Sequence, residues 1–372
     1  MRPASSPRAR ASDARLLVID PLEARLSDAR AADLDRLLDP GDLLVVNDAA
    51  TVPGSLAGRT SGGGAVEARL SGPPEGDAWV AVLFGAGDWR ERTEDRLPPP
   101  RVGEGERIVF EAPGASLAAR VVSVSPLSPR LVTLRFEPRG AALWDALYRV
   151  GRPVQYAYLR APLALWDVQT PYASRPWAAE PPSTGLGLDT RLLMSLRARG
   201  IGIARITEAA GLSSTGDPAI DAALPFPERF EIPEETVLAI ARTRARGGSV
   251  IAAGTTVLRA LEGAAVRGGG ALTAGAGITD LRVGAGFRPR IVDGLLTGIH
   301  EPGTSHHELM RAFVADALLD AAIAHAESAG YLGHEFGDLC LVLPARAAAG
   351  CRAGAHSRWD RGGRPEGVSG SR

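Results

Sequence analysis

Two polar turns carry the residue types best suited to chemistry, and each lies between an apolar run and a helix-like stretch. The first is residues 254–256 (Gly-Thr-Thr), and the second is residues 300–305 (His-Glu-Pro-Gly-Thr-Ser). Glycine lets a ligand approach the backbone, and the free N–H groups of a first helical turn attract anions and hydroxyls. We therefore expect substrate-binding groups at both turns, with His300 as a hydrogen-bond donor or acid/base group.

The first turn also has a simpler structural interpretation. In this interpretation Thr255 is the N-cap of the helix that follows it and contacts no ligand. Arg259 and Glu262 lie three residues apart and so share a helix face. They either line a site at this turn or form a solvent-exposed pair on the helix surface.

The second turn opens residues 305–328, whose pattern predicts one long helix that stops at Gly330. Ser305 and Glu308 match a capping box, which predicts Ser305 as the N-cap. The adjacent His306 and His307 diverge by about 100° around a helix, so we expect no metal ion to be held by both.

Other polar groups follow predicted strands or turns. Asn47-Asp48 ends the apolar run 43–46, and Thr279-Asp280 precedes a Gly-rich turn and the predicted strand 291–296. Residues 169–172 form a polar-aromatic turn that contains Gln169, Thr170 and Tyr172. Asn and Asp residues at turns usually bond only the local backbone, so neither pair indicates a site by itself. The turn 169–172 is likewise not specific by itself.

Length and charge limit the classes of protein to which the chain can belong. Its 372 residues suggest two domains plus tails. All 42 basic side chains are arginine, so Schiff-base and lysine general-base chemistry is excluded. The net charge is −1, but residues 1–12 carry +3 and residues 345–372 carry +4, which leaves −8 on the remainder. Such an acidic body is not typical of a strong nucleic-acid-binding protein, although a local basic groove stays open.

Cysteine content and hydropathy bear on the compartment. The two cysteines, Cys340 and Cys351, do not have the spacing of a disulfide framework or a zinc site. No apolar run approaches the roughly 20 residues that a membrane helix needs. We therefore expect a cytoplasmic monomer without a bound metal and without membrane contact.

The order of apolar runs predicts an α/β protein with a mostly parallel sheet, flanking helices and an inserted small β-barrel. Strands alternate with helices in residues 13–57 and 137–344, which we assign to the α/β domain. Residues 58–136 contain short alternating runs between Gly- and Pro-rich turns, which we assign to the barrel. Residues 1–12 and 345–372 are predicted to be a disordered leader and a disordered tail.

A series of short motifs runs through the chain in a fixed order. It comprises residues 40–48 (Pro-Gly-Asp-Leu-Leu-Val-Val-Asn-Asp), Val52-Pro53 with Leu56, Gln169-Thr170 with Tyr172-Ala173, Pro182 with Gly185-Leu186, residues 245–248 (Ala-Arg-Gly-Gly), Gly254-Thr255-Thr256 with Arg259 and Leu261-Glu262, Thr279-Asp280, Gly286-Phe287-Arg288, Val292-Asp293, His300, Pro302, Ala312-Phe313 and Gly337-Asp338. Together these motifs resemble the S-adenosylmethionine:tRNA ribosyltransferase-isomerase family of queuosine biosynthesis. The resemblance spans roughly residues 16–343, and its specificity lies in the ordered set.

The resemblance implies an α/β domain with an inserted barrel and S-adenosylmethionine as a consumed substrate. The family moves and isomerises the ribosyl part of that substrate onto 7-aminomethyl-7-deazaguanine of tRNA, which gives epoxyqueuosine and releases adenine and methionine. A base removes a proton made acidic by the sulfonium, and no metal is implied. His300 and Asp280 are the candidate catalytic residues. The substrate-binding candidates are Asn47, Asp48, Gln169, Thr170, Tyr172, Gly254, Thr255, Thr256, Arg259, Glu262, Thr279, Asp293, Thr304 and Ser305.

The chain also departs from the family's motifs. Its residues 182–188 read Pro-Ser-Thr-Gly-Leu-Gly-Leu, so Gly187 replaces a family histidine. Residues 47–50 lack the family's arginine, residues 209–215 lack its histidine, and Gly303 replaces a lysine. Two alternatives therefore stay open: a paralogue that uses S-adenosylmethionine or a related nucleoside with a non-tRNA acceptor, and a non-catalytic binding protein. The candidate partners are tRNA and a small nucleoside substrate.

Overall fold

A computed structural model describes residues 1–345, and in them a nine-stranded sheet adjoins a closed six-stranded barrel. The predicted tail lies outside the described residues apart from Ala345. The strands are Arg2–Pro3 (β1), Arg15–Asp20 (β2), Arg25–Arg30 (β3), Leu43–Asn47 (β4), Ala50–Thr51 (β5), Ser55–Thr60 (β6), Ala65–Leu70 (β7), Ala78–Phe84 (β8), Arg107–Ala112 (β9), Ala115–Val124 (β10), Leu131–Phe136 (β11), Pro176–Ala178 (β12), Gly202–Glu208 (β13), Glu228–Ile232 (β14), Val250–Ala253 (β15), Gly275–Thr279 (β16), Gly294–Gly298 (β17), Leu332–Gly333 (β18) and Leu339–Val342 (β19).

Helices cover both faces of the large sheet and one end of the barrel. They are Leu34–Leu37 (α1), Gly140–Val150 (α2), Ser183–Leu186 (α3), Thr190–Ala198 (α4), Pro218–Ala223 (α5), Glu234–Ala245 (α6), Thr255–Arg267 (α7), Ser305–Met310 (α8) and Asp316–Ser328 (α9). Within residues 1–345 no helix combines the length and the apolar character needed to cross a membrane.

The large sheet is mixed, with strand order β16-β14-β13-β4-β15-β17-β19-β2-β3. Four neighbouring pairs are parallel (β13-β4, β4-β15, β15-β17, β19-β2), and the other four are antiparallel. The prediction of a mostly parallel sheet is therefore not confirmed. The antiparallel pairs lie mainly at the two edges, where short connections such as residues 21–24 between β2 and β3 allow only hairpin pairing.

The central strands are apolar on both sides because a hydrophobic cluster covers each face. Val45 and Ala252 belong to one cluster, whereas Leu44 and Ile251 belong to the other. The parallel strands β4, β13, β15 and β17 all end at the same edge of the sheet. The loops that leave this edge lie close together, as in other open α/β sheets whose ligands bind there.

The barrel has the order β10-β11-β8-β7-β6-β9, and β7 and β8 coincide with the alternating runs 65–70 and 78–84 of the sequence. Helix α2 packs on it, with Leu147 and Val150 in the barrel's hydrophobic cluster. Ser55 and Arg152 exchange two backbone hydrogen bonds of 2.9 and 3.0 Å where the chain enters and leaves this unit. The unit thus extends from about Ser55 to Arg152, beyond the predicted 58–136.

Two other segments differ from the sequence prediction. The predicted long helix over residues 305–328 is interrupted: α8 ends at Met310 and α9 begins at Asp316. The break lets Val314 reach the core, since Ala315 adopts an extended conformation. In the predicted leader, Arg2–Pro3 pairs in parallel with Leu332–Gly333.

Candidate active site

A cleft of about 600 Å³ lies at the edge where the parallel strands end, a volume typical of small-molecule sites. Its walls are the loops after β15 and β17, residues 180–184, residues 210–214 and residues 333–335. Seven of the residues predicted from the sequence line it. They are Gly254, Thr255, Thr256, Arg259, His300, Thr304 and Ser305.

Helix α7 presents its first turn to this cleft. Its N-cap is Gly254, with φ 105° and ψ 151°, and no side chain caps the helix. This backbone conformation is accessible to glycine and strained for other residues. The interpretation of Thr255 as a mere cap is therefore wrong: Thr255 is the first helical residue and lines the cleft beside Thr256.

Asn47 fixes the position of this turn from below. Its Nδ2 donates to the Glu208 carbonyl at 3.0 Å and to Thr256 Oγ1 at 3.4 Å. Its Oδ1 accepts from the Glu208 and Ala49 N–H groups at 2.9 and 3.0 Å. The side chain thus joins the ends of β4 and β13 to the Thr256 hydroxyl and acts as a positioning residue rather than a cleft-lining one.

Arg259 and Glu262 do not form the surface pair that the sequence allowed, because both are buried. Arg259 Nη2 donates to Glu228 Oε2, and the Gly211 N–H donates to Glu228 Oε1 at 3.2 Å. Glu262 instead accepts from the N–H groups of residues 290–292 at 2.8 to 2.9 Å. Arg259 therefore belongs to the floor of the cleft, whereas Glu262 shapes a loop.

A second carboxyl group, that of Glu208, lies against Glu228 and Thr256 beneath this floor. Glu208 is fully buried, and neither of its oxygens has a hydrogen-bond partner among residues 1–345. Burial and the Glu228 carboxylate raise the pKa of Glu208 well above its usual range. Burial also raises the pKa of Glu228, although Arg259 opposes this. Glu208 therefore favours its protonated form, while Arg259 balances the charge of Glu228.

Glu208→Gln should make stability less sensitive to alkaline pH. A raised carboxyl pKa gives a contribution that is complete below the unfolded value and is lost as pH rises through the folded value. Glutamine mimics the protonated acid and does not titrate. Relative to the unaltered protein, the variant should gain unfolding free energy between mildly acidic and mildly alkaline pH. Urea denaturation at both pH values measures this gain, and a pH-independent difference would contradict the raised pKa of Glu208.

His300 lies on the opposite wall. Its Nε2 is 2.7 Å from Thr297 Oγ1, and its ring stacks on His306 with centroids 4.9 Å apart. Burial lowers the pKa of His300 well below its ordinary value, and His306 and His307 add to this effect. Burial likewise lowers the pKa of His306 to about 4. Both rings are consequently neutral at physiological pH, so His300 can accept a proton.

Helix α8 begins one residue earlier than a Ser305 cap would place it. The N-cap is Thr304, whose Oγ1 accepts from the His307 N–H at 3.2 Å, so the predicted role of Ser305 is wrong. Ser305 is the first helical residue and lines the cleft. Among residues 1–345, no three His, Cys, Asp or Glu side chains are arranged to hold a metal ion.

The other predicted residues do not line the cleft. Asp48 accepts from Thr207 Oγ1 at 2.6 Å, and Asp293 accepts from the Val250 N–H at 2.8 Å. Gln169 binds the backbone of Thr51. Thr279 donates to the Arg259 carbonyl at 3.3 Å, and Asp280 beside it is exposed at the end of β16. Thr170 is buried and Tyr172 is half-buried, and the buried hydroxyl of each lacks a partner among the described residues.

Sequence reasoning missed the acidic residues of the cleft and its floor. Glu180, Glu228 and Glu335 line the cleft, and Glu208 lies below it. No motif or spacing marks them, because they come from four separate segments. The one available signal was Glu208, a charged residue at the buried end of β13, two positions after Ile206.

Comparisons with known proteins show which family the chain resembles. The model of the queuosine biosynthesis protein family matches residues 2–342. The S-adenosylmethionine:tRNA ribosyltransferase-isomerase of Gloeobacter violaceus is 38% identical over 339 residues, which cover 90% of each chain. The protein of the same name from Methylocella silvestris is 36% identical over 351 residues, or 89% of this chain and 91% of the relative.

Among solved structures, the S-adenosylmethionine tRNA ribosyltransferase of Thermotoga maritima is 22% identical, with a TM-score of 0.49. The match covers 92% of this chain and 96% of that one. The family match and the relatives each cover most of the chain, and the inserted barrel and the cleft lie within the matched residues. The chain therefore belongs to the queuosine biosynthesis protein family.

Proposed function

We propose that this protein moves and isomerises the ribosyl moiety of S-adenosylmethionine onto 7-aminomethyl-7-deazaguanine of tRNA, as a monomer in the cytoplasm. Relatives that carry the name of this activity align over about nine-tenths of the chain. The observation that carries the proposal is one cleft that joins an uncapped helix start to a neutral imidazole. S-adenosylmethionine needs both an anion-binding group and a nearby proton acceptor.

The first turn of α7 suits the amino acid tail of S-adenosylmethionine. Its N–H groups and the positive end of the helix dipole favour a carboxylate. The hydroxyls of Thr255 and Thr256 can donate to the same group or to the ribose. Gly254 has no side chain, so the ligand can approach the backbone there. The fit of the residues to this substrate thus rests on the helix start rather than on the buried Arg259, whose guanidinium is already paired with Glu228.

His300 suits the role of general base. Proton removal next to the sulfonium breaks a C–H bond and forms an N–H bond on the imidazole. A ring that is neutral at physiological pH has the lone pair that this step requires. Thr297 holds the ring orientation through Nε2, which leaves Nδ1 as the atom that faces other partners.

Adenine release tests the proposal directly. The protein is incubated with S-adenosylmethionine and a tRNA that carries the aminomethyl-deazaguanine base, and adenine is measured by chromatography. We expect adenine in stoichiometric proportion to modified tRNA. The same incubation with tRNA that carries guanine at the wobble position is the control, and equal adenine from both tRNAs would contradict the proposed acceptor.

The acidic residues of the cleft favour one alternative function, a reaction with a small acceptor, which the same assay can test. Glu180 and Glu335 line the cleft without a cationic partner there, and the family's histidine and lysine are absent at Gly187 and Gly303. These features suit an acceptor that is a free amine rather than part of a polyanion. Adenine release with the free aminomethyl-deazaguanine base, but not with the tRNA, would select the paralogue that uses a small acceptor.

A further inference from the structure

One end of the cleft carries two carboxylates that the proposed chemistry on S-adenosylmethionine does not use. Glu180, Pro181 and Glu335 line both the main cleft and a small adjoining pocket, so they form the wall between the two. Glu180 is buried, and Glu335 is buried except for a minor part of its surface. Ionisable groups are placed in such positions at a free-energy cost, which a function can explain.

Glu335 has a carboxylate oxygen in need of a partner. Its Oε2 is buried and has no hydrogen bond among the described residues. The preceding residue, His334, has φ 67°, a left-handed conformation that is strained for a residue with a side chain. Asp338 holds this loop in place by accepting from the Leu332 and Arg15 N–H groups at 2.8 and 2.9 Å. A buried acceptor on a fixed, strained loop is a feature typical of ligand sites.

Glu180 presents a second acceptor to the same region. Tyr156 Oη, the Ser213 N–H and Ser213 Oγ all donate to its Oε1, the latter two at 2.9 and 3.2 Å. These donors fix the orientation of the carboxylate and leave Oε2 to accept from another group. Both residues thus line the same end of the cleft, where Glu335 Oε2 has no donor among residues 1–345.

The cations that line the cleft are already paired elsewhere. Arg259 binds Glu228, and the Met1 ammonium contacts Glu301 at 3.1 Å and Glu327 at 3.7 Å. Behind Glu180, Arg69 of the barrel is bound to Glu67 at 2.7 Å. Arg69 lowers the pKa of Glu180 and so partly balances its charge. Among residues 1–345 no cation forms an ion pair with Glu335, so a cationic ligand group would supply the missing countercharge at this end of the cleft.

We propose that Glu180 and Glu335 bind the ammonium group of the acceptor substrate, and that Glu335 takes up the proton which this group must lose before its nitrogen can attack. This inference rests on the proposed function, since it concerns the acceptor of that reaction. An ammonium nitrogen has no lone pair. When the proton passes to Glu335, an N–H bond breaks, an O–H bond forms, the nitrogen keeps the electron pair and the carboxylate becomes neutral.

The protonation behaviour of Glu335 matches this role. Burial raises the pKa of Glu335 to about 7, so near neutral pH it is partly ionised and binds a proton readily. Several other titratable or charged groups line the same cleft and pocket around it. They are Tyr156, Tyr158, Glu180, His300, Glu301 and His334. Burial lowers the pKa values of His300 and His334, which moves their titration away from neutrality, and raises that of Glu180. The Glu335→Gln and Glu180→Gln variants therefore decide which carboxyl group causes an acidic limb near neutrality.

An ammonium of this kind can come from the wobble base of tRNA or from a free small amine. The chemistry at Glu180 and Glu335 is the same in both cases. Three probes separate the sources: tRNA that carries 7-aminomethyl-7-deazaguanine, the free aminomethyl base, and the free 7-methyl base, which lacks the ammonium.

The test uses Glu335→Gln and Glu180→Gln in the full chain, with the exposed barrel residue Glu104→Gln as the matched control. Calorimetry measures S-adenosylmethionine and acceptor binding, and adenine release measures turnover as a function of pH. We expect unchanged S-adenosylmethionine binding in all variants. Glu335→Gln should lower kcat/KM for the acceptor about 100-fold at neutral pH and abolish the acidic limb. Its deficit should shrink as pH rises and the acceptor loses its proton in solution. Glu180→Gln should raise the acceptor KM with less effect on kcat.

The results distinguish a failure of the acceptor subsite from a failure of the proposed function. If the unaltered protein turns over and both variants keep its acceptor KM and its acidic limb, the inference falls and the proposed function stands. If no acceptor gives adenine, the proposed function falls. The subsite then stands only if the protein prefers the aminomethyl base to the methyl base and both variants lose that preference. Equal binding of the two bases overturns the subsite.

Discussion

His300→Gln should lower turnover by about two orders of magnitude, the usual contribution of a general base, while it changes stability little. Glutamine can keep a polar contact with the Thr297 hydroxyl, which lies 2.7 Å from Nε2 in the unaltered ring. It cannot accept a proton from carbon. S-adenosylmethionine affinity should therefore survive while adenine release falls. Single-turnover adenine release and calorimetric binding, measured on the same preparation, check this.

The pH dependence of stability gives a second expected result for His300→Gln. The pKa of His300 is lowered in the folded chain, so its stabilising contribution is complete above the unfolded value of about 6.5 and is lost as pH falls toward the folded value. His300→Gln should accordingly lose less stability than the unaltered protein on mild acidification. His325→Gln is the control, since His325 is bound to Asp28 away from the cleft. If His300→Gln lowers stability as strongly as turnover, the residue is structural.

Arg259→Met should destabilise the fold by about 3–5 kcal/mol, because it leaves a buried carboxylate without its cation. Arg259 and Glu228 are both buried, and Glu208 lies beside them with its own raised pKa. Without the guanidinium, both carboxyl groups favour their protonated forms. The loss should therefore be largest at alkaline pH and smaller at acidic pH. Urea denaturation across this range measures it.

A double variant separates the ion pair from the packing of the arginine stem. Arg259→Met with Glu228→Gln removes both charges, and it should recover most of the stability that the single variant loses. Arg205→Met is the matched control, because Arg205 is exposed and lies 3.6 Å from Asp48. Its unfolding midpoint should move much less. If the double variant is no more stable than Arg259→Met, the carboxylate of Glu228 is not the source of the loss.

The fold could be read from the sequence where hydrophobic pattern decides the structure. The barrel strands β7 to β11 and the central strands β4 and β15 agree within a few residues with runs visible in the sequence, because alternation and continuous apolar runs report burial directly. The first barrel strand, β6, was not predicted. The edge strand β3 was missed, since Arg25–Arg30 is mostly exposed and has no apolar face. The break between α8 and α9 was missed because it depends on where Val314 packs, which is a tertiary property.

The site could be read only in part, for a related reason. Gly254 and His300 lie at turns whose chemistry is visible in the local sequence. Glu180, Glu228 and Glu335 become functional candidates only when distant segments meet, and a lone glutamate in a loop gives no local signal. The candidates Glu262 and Asp293 matched family motifs, yet their carboxylates hold backbone N–H groups of neighbouring loops. Matching a family motif thus did not distinguish residues that line the cleft from residues that hold the neighbouring loops in place.

The two hydrogen bonds between Ser55 and Arg152 have an evolutionary consequence. They make the chain leave the sheet domain and return to it at nearly one point, so the barrel and α2 form a module with one covalent junction, which also packs on the sheet domain through Val82, Phe84 and Leu131. A closed barrel has no free strand edge that removal would expose or that a replacement must match. Recombination could therefore exchange or enlarge this module while the sheet and its cleft stay intact. Selection could then alter what the barrel contacts independently of the chemistry at the sheet edge.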